Sequence, residues 1–132
     1  MHYMLDTNIV SHFIKSHPAV VRRVTTTPMA SLCISAITKG ELLFGLAKRP
    51  AAKQLHVAVD EFLKRVDVLP WNSIIAEQYG AVRAEMERQG KLLAPLDMLI
   101  GAHALSIGTV LVTNDRAFQQ ISDLQIEDWT EG

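Results

Sequence analysis

The sequence predicts an α/β domain with a parallel sheet that is covered by helices on both faces. Five short strand-like runs alternate with helix-like stretches, an order that is typical of parallel sheets. The runs are too apolar for a sheet with one solvated face. A chain of 132 residues is long enough for one domain with a sizeable core. The strand-like runs are residues 2–5, 31–35, 66–69, 109–113 and, more weakly, 125–126.

The elements of the first half are supported by capping and periodicity. The first strand-like run leads directly into Asp6, at the edge where open α/β sheets keep their ligands. Ser35 ends the second run and is a suitable N-cap for a helix that carries Glu41. Residues 51–65 have amphipathic spacing, which predicts another helix before the third run.

Two further helices are predicted in the second half. Asn72 or Ser73 is expected to cap a long helix over residues 74–89. Pro95 suits the first turn of the helix that carries Asp97, because its missing N–H has no partner to lose there. The fourth strand-like run follows that helix, so the chain keeps alternating to its end.

Composition limits the classes of function. The 13 basic and 14 acidic residues nearly cancel, which argues against a protein held to nucleic acid by its overall charge. An acidic groove with basic residues around it stays possible. Cys33 is the single cysteine, and the five histidines lack metal-ligand spacing, so all six are expected to be structural or solvated. No signal peptide is visible, and the apolar run 92–112 is interrupted, so a cytoplasmic protein without a membrane span is expected.

Four acids occupy apolar segments that would ordinarily exclude them. They are Asp6, Glu41, Asp97 and Asp115. A carboxylate is rarely buried without a partner, and no cationic partner is evident in these segments. One shared metal ion would satisfy all four. Clustered carboxylate oxygens favour a hard cation, so Mg²⁺ or Mn²⁺ is expected rather than Zn²⁺.

Each acid also has an ordinary structural explanation. Asp6 could only cap a helix that begins at the next residue. Asp97 could be a favourable acid in the first turn of its helix, and Asp115 could be a turn residue after a strand. Glu41 is hardest to explain in this way, because it lies on an otherwise apolar stripe. Composition and spacing alone leave a metal site and these separate roles equally open.

The motifs taken together resemble a known family. Asp6 lies in the first motif, Glu41 in the second, Asp97 in the third and Asp115 in the fourth. The motifs span residues 4–8, 34–45, 95–104 and 111–115, and the closing segment 124–129 fits as well. In this order they resemble PIN-domain proteins and, more narrowly, the VapC toxins of bacterial toxin–antitoxin pairs. Lys39 departs from the family, which more often has an apolar or small residue there.

This resemblance implies a fold and a chemistry. The fold is a three-layer PIN-like domain with a central parallel sheet of about five strands, spanning residues 1–132 as a single domain. The activity is a Mg²⁺- or Mn²⁺-dependent endoribonuclease, in which metal-activated water attacks the phosphodiester. Asp6, Glu41 and Asp97 match the core acids and Asp115 the more variable fourth. Asn8 and Thr113 match polar positions that help to hold the acids. They are expected to contact the metal ligands rather than the metal itself.

The resemblance also implies partners. The expected substrate is a structured RNA, with tRNA as the favoured choice, bound mainly through its shape and backbone. A homodimer and a cognate VapB-type antitoxin that fills the groove are expected too. Exposed basic residues near the motifs are candidate phosphate contacts. They are Arg22, Arg23, Lys39, Lys48, Arg49 and Arg116.

Three rival functions fit the sequence less well. An aspartyl-phosphate phosphatase would need a second acid two places after Asp6, where the chain has Asn8. A non-catalytic PIN-like module that binds RNA or protein would be favoured by loss of a core acid, and none is lost. A phospho-acceptor receiver domain would need an acid at the end of the third strand, but residues 66–69 lead into Pro70-Trp71.

Overall fold

A computed structural model describes residues 2–131 of the chain. Its five strands form one parallel sheet in the order β3-β2-β1-β4-β5. This confirms the predicted fold class. The strands are β1 Tyr3–Leu5, β2 Leu32–Ser35, β3 Asp67–Leu69, β4 Val110–Val112 and β5 Ile126–Glu127.

Six α-helices lie within residues 2–131 and connect the strands. They are α1 Thr7–Ile14, α2 Pro18–Thr26, α3 Ala36–Ala47, α4 Lys53–Arg65, α5 Ser73–Arg88 and α6 Pro95–Ile107, with 3₁₀ turns at Met29–Ser31 and Arg116–Gln120. Ser35 caps α3 as predicted, and Asn72 rather than Ser73 caps α5 through the amide of Ile75. The side-chain oxygen of Asn72 thus satisfies an amide of the first turn that has no partner within the helix. Among residues 2–131, no helix is long and apolar enough to cross a membrane.

The core lies in two layers, one on each face of the sheet. Side chains that alternate along each strand point to opposite faces, so Leu5 faces one layer and Met4 the other. Helices α1 to α4 cover the first face, where Trp129 and Phe62 are buried. Helices α5 and α6 cover the second face. The strands are therefore apolar on both sides, which is the pattern that the sequence showed.

The strand order places a topological switch point at the centre of the sheet. From β1 the chain proceeds to β2 and β3 on one side, and later to β4 and β5 on the other. Connections therefore leave the carboxyl ends of β1 and β4 in opposite directions and open a crevice between them. Asp6 follows β1 directly, and Thr113 follows β4. The fold itself thus brings residues from distant parts of the chain to one point.

Candidate active site

Asp6 is the most buried of the four acids, with 3% of its surface exposed. It is the N-cap of α1, where its Oδ1 accepts a hydrogen bond of 2.7 Å from the amide of Thr7. Its Oδ2 accepts one of 2.8 Å from the hydroxyl of Thr113. The pKa of Asp6 is raised to about 6, mainly by burial and to a smaller extent by the charges of Asp97 and Glu41. The two hydrogen bonds lower this pKa but do not cancel the effect of burial. Loss of hydration therefore outweighs local stabilisation of the charge.

Thr113 links Asp6 to the fourth acid. Besides donating to Asp6, its Oγ1 accepts a hydrogen bond of 3.0 Å from the amide of Asp115. Asp115 caps the 3₁₀ turn that follows, with Oδ1 accepting from the amide of Ala117 at 2.9 Å. Thr113 therefore contacts both the side chain of Asp6 and the backbone of Asp115. Asn8, its predicted counterpart, is exposed and makes no hydrogen bond to an acid among residues 2–131.

Glu41 approaches the same point from α3. It is half-buried, and its Oε1 accepts a hydrogen bond of 2.6 Å from the hydroxyl of Thr7. That hydroxyl also lies 3.2 Å from the hydroxyl of Thr38, which is fully buried on the same helix. Thr7 therefore serves two acids at once, with its amide bound to Asp6 and its side chain bound to Glu41.

Asp97 is the acid with the fewest local ties. It lies in the first turn of α6, an N-terminal position that is favourable for a negative charge. Its carboxylate makes no hydrogen bond to a residue of the range 2–131 and is half-buried. Burial raises the pKa of Asp97, and the charges of Asp115 and Glu41 raise it further. Its free oxygens are available to a ligand.

The four acids repel one another, and no cation within the described chain balances them. None of the five ion pairs found among residues 2–131 involves any of the four. Charge interactions connect Asp6 with Glu41 and Asp97, and Asp97 with Glu41 and Asp115. Such a group of hard oxygen donors fits a divalent cation of the Mg²⁺ type.

The cluster is open rather than preassembled. Within residues 2–131, no three Asp, Glu, His or Cys side chains converge closely enough to form a ready set of metal ligands. The four carboxylates are thus near enough to interact through their charges, but no three of them converge on one point. Charge interactions over this spacing are expected, because carboxylates that share a site repel one another.

Basic residues surround the acids unevenly. Lys48 and Arg49 line a cleft between α1, α3 and α4, and Thr7 and Glu41 line the same cleft. Arg116 lines a second hollow, beside Asp115. Lys39 is exposed on α3, two residues before Glu41. Basic residues therefore lie beside Glu41 in one cleft and beside Asp115 in another hollow.

The adjacent arginines of α2 differ in their surroundings. Arg23 forms an ion pair of 3.1 Å with Glu127, and its guanidinium lies 4.7 Å from the ring centre of Trp129. The Trp129 indole N–H also donates to Glu127 at 3.0 Å. Arg23 is therefore engaged in joining α2 to the last strand. Arg22 is exposed and makes no such contact within residues 2–131.

Sequence reasoning assigned four residues no role in placing the acids, although it predicted Ser35 as a helix cap and His103 as a structural or solvated histidine. Thr7, the first residue of α1, donates to Glu41, and Thr38 on α3 contacts the same Thr7 hydroxyl. Ser35 and His103 contact each other between α3 and α6, the helices that carry Glu41 and Asp97. The hydroxyls offered a weak signal, because Thr7 follows Asp6 and Thr38 lies one helical turn before Glu41. His103 offered none, since its partner is 68 positions away in sequence.

The fold and the acidic switch point together define an α/β domain built around a carboxylate site. The family model described as PIN domain matches residues 3–124. The chain therefore belongs to the PIN-domain family, which confirms the predicted family. Within that family it is a member of the VapC group, as the following relatives show.

The chain is 38% identical over 129 residues to the tRNA(fMet)-specific endonuclease VapC of Shigella flexneri, covering 97% of this chain and 98% of the relative. It is 36% identical over 128 residues to Ribonuclease VapC2 of Haemophilus influenzae, covering 96% and 97%. These names agree with the predicted class of enzyme.

Solved structures give the same relationship. DNA-bound VapBC from Salmonella typhimurium contains a chain that matches with a TM-score of 0.90 and 38% identity, covering 98% of both chains. VapBC2 from Rickettsia felis, bound to a DNA fragment from its promoter, matches with a TM-score of 0.90 and 32% identity, covering 98% of this chain and 99% of that one. Both structures carry the name VapBC.

Proposed function

We propose that the chain is the toxin of a type II toxin–antitoxin pair and acts as a Mg²⁺- or Mn²⁺-dependent endoribonuclease on structured RNA. The observation that carries this proposal is the group of four acids at the switch point of the sheet, with no balancing cation among residues 2–131. The name of the Shigella flexneri relative favours tRNA as the substrate. The whole chain, residues 1–132, would act as one PIN domain in the cytoplasm.

In this proposal Asp6, Glu41, Asp97 and Asp115 hold the cation. When bound, a divalent cation can lower the pKa of a water molecule and offset charge on the scissile phosphate. The chain supplies the orientation of the ligands. Thr7 and Thr113 restrain Asp6 through its two oxygens, and Thr7 restrains Glu41 as well. Asp97, which has no such restraint, would adjust to the ligand.

The surrounding basic residues would hold the RNA backbone. Lys48 and Arg49 lie along the cleft that reaches Glu41, and Arg116 lies beside Asp115. A strand that crossed the acids between these two positions would have its phosphates near cations on both sides. Lys39 and Arg22 would contribute at longer range. Arg23 is less available, because Glu127 and Trp129 already engage it.

The test is cleavage of a tRNA mixture by the purified protein with Mg²⁺, Mn²⁺ or EDTA. We expect cleavage with either cation and none with EDTA, with products that end in 5′-phosphate and 3′-hydroxyl groups. Asp97→Asn should reduce cleavage by about 100-fold or more, since a metal ligand is lost at unchanged shape. Asp60→Asn, at an exposed acid on α4, is the matched control and should keep full activity. Cleavage that persisted in EDTA, or in Asp97→Asn, would refute the proposed chemistry.

The partner would be a VapB-type antitoxin, the kind of partner present in the VapBC structures. An acidic crevice attracts a cationic plug, so we expect the antitoxin to place an Arg or Lys among the four acids. Replacing that basic residue with Met should restore cleavage by the complex, whereas replacing a basic residue outside the crevice should not. Equal inhibition by both antitoxin variants would contradict this mode of restraint.

A homodimer is the proposed assembly of the toxin. The apolar side chains of Leu43 and Phe44 are exposed on α3, at 43% and 64%. Such side chains are candidates for contact with a second copy, since large apolar side chains in a group commonly mark interfaces. Sedimentation of the wild type and of Phe44→Ser would test this, with a monomeric wild type as the opposing result.

A further inference from the structure

A buried hydrogen bond joins the two helices that carry Glu41 and Asp97. Nδ1 of His103 lies 2.8 Å from Oγ of Ser35, and these residues are 1% and 0% exposed. Ser35 ends β2 and caps α3, with its Oγ accepting from the amide of Ile37 at 3.1 Å. Glu41 lies six residues after Ser35, and Asp97 lies six residues before His103. The bond therefore lies one to two helical turns from each of these acids.

Packing alone does not explain a histidine at this position. Its Nε2 is buried without a hydrogen-bond partner among residues 2–131. An unpaired buried nitrogen is unfavourable, whereas an apolar side chain of similar size would avoid that penalty. Burial also lowers the pKa of His103, so the ring is neutral at neutral pH. A polar pair that is retained despite an unpaired atom is expected to specify a position rather than to add stability.

The electrostatics of the site supply a reason for such a restraint. Glu41 on α3 and Asp97 on α6 are close enough to interact through their charges, and like charges repel each other. Without a cation, the two helices carry like charges that tend to move apart. The Ser35–His103 bond crosses between the same two helices and opposes that separation. Asp6 and Asp115 need no such hydrogen bond between helices, because they follow β1 and β4, which pair with each other in the sheet.

We propose that His103 is a positioning residue that acts through Ser35 to set the separation of Glu41 and Asp97 at which a divalent cation binds. The proposal rests on the proposed function, since it concerns the same cation site. His103 itself touches neither the cation nor the RNA. Its contribution is the placement of α3 against α6. Replacing His103 should therefore change the affinity for the cation more than the affinity for RNA.

The test compares variants at position 103 in two assays. Mn²⁺ binding is measured by electron paramagnetic resonance of free Mn²⁺, and RNA cleavage is measured by its kinetics. His103→Leu should weaken Mn²⁺ binding about tenfold, the lower range for residues that support metal ligands. At limiting Mn²⁺ the kcat should fall by a similar factor, while the KM for RNA should change little. His103→Asn places an amide near the position of Nδ1 and should restore most of the affinity. His103→Gln places its amide near Nε2 instead and should not.

Thr109→Val is the matched control. Thr109 is also buried, and its hydroxyl donates to the carbonyl of His2 at 2.6 Å, so one long-range hydrogen bond is again removed. That bond lies at the opposite end of the sheet, where β1 and β4 begin. Thr109→Val should lower the melting temperature without changing Mn²⁺ affinity. If His103→Leu does not fold, the comparison of His103→Asn with His103→Gln still decides the outcome.

The results separate the two proposals. If the wild type bound Mn²⁺ and His103→Leu or His103→Gln bound it equally tightly, the positioning role would be overturned and the proposed function would stand. The same conclusion would follow if Thr109→Val weakened Mn²⁺ binding as much as His103→Leu did for an equal loss of melting temperature. If the wild type bound no Mn²⁺ and cleaved no RNA, both proposals would fall together.

Discussion

Replacing Asp6 with asparagine should stabilise the metal-free protein near neutral pH. Asp6 is 3% exposed, and burial followed by the charges of Asp97 and Glu41 raises its pKa from the usual 3.8 to about 6. The ionised form is therefore disfavoured in the folded protein relative to the unfolded chain. Asparagine keeps the shape of the side chain and removes the charge, so it should relieve this unfavourable interaction.

The magnitude follows from the pKa and from the hydrogen bonds of Asp6. A tenfold change in proton affinity is worth about 1.4 kcal/mol, so a rise from 3.8 to about 6 is worth about 3 kcal/mol. Asparagine has one acceptor oxygen where Asp6 uses two, for Thr7 and for Thr113. One hydrogen bond must therefore weaken, which costs about 1–2 kcal/mol because its acceptor is a charged group. A net gain of about 1–2 kcal/mol remains.

The gain should depend on pH with a definite sign. Because the pKa of Asp6 is raised on folding, the folded protein binds the proton more tightly than the unfolded chain does. The wild type therefore loses stability as the pH rises from about 4 to about 6, and the loss is complete above pH 6. Asp6→Asn lacks this loss. Its advantage should be absent at pH 4 and fully developed at pH 7.5.

Thermal melts of both proteins in EDTA at several pH values provide the assay. For a chain of 132 residues, about 1–2 kcal/mol corresponds to roughly 4–7 °C at pH 7.5. Mg²⁺ should then raise the melting temperature of the wild type more than that of the variant, because binding to the folded state produces the rise. If Asp6 were only a helix cap, asparagine would serve as well and both effects would vanish. Equal melting temperatures at pH 7.5 with equal Mg²⁺ responses would refute the reasoning.

Two further predictions concern neighbours of the acids. Thr7→Val keeps the amide that binds Asp6 and removes the hydroxyl that binds Glu41. Half-saturation by Mn²⁺ should therefore need about tenfold more cation. An unchanged Mn²⁺ titration would contradict this role of Thr7. Arg23→Ala removes an ion pair and a contact with an aromatic ring, so it should lower stability by about 1 kcal/mol in denaturant melts. Arg22→Ala should leave stability unchanged and weaken RNA binding, and the reverse pattern would assign these arginines the opposite roles.

The parts of the fold that depend on local patterns were predictable from the sequence. Strand β2 is buried on both faces, and its run of apolar residues indicated this. Ser35 and Pro95 marked the starts of α3 and α6, because capping depends on a few adjacent residues. The strand order was not predictable in this way, since it depends on how distant segments pair.

The ordinary and functional explanations of the acids turn out to be compatible. Asp6 does cap α1, as the simpler explanation required, but only through Oδ1. Its Oδ2 binds Thr113 and faces the switch point. Asp115 likewise caps a 3₁₀ turn through one oxygen, and its other oxygen is not needed for that bond. A carboxylate has two oxygens and about four lone-pair sites, so a structural role and a ligand role can coexist in one residue.

The site combines two acids whose positions follow from the sheet with two whose positions depend on helix packing. Asp6 and Asp115 follow β1 and β4, which pair directly, so their spacing results from the fold. Glu41 and Asp97 are carried by α3 and α6, and like charges tend to separate them. Thr7 contacts Glu41, and His103 contacts the cap of α3. Long-range hydrogen bonds thus restrain α3 and α6, whose positions are not set by strand pairing. They span 34 and 68 positions, beyond the reach of any local periodicity, which is why sequence patterns revealed the acids but not the contacts that place them.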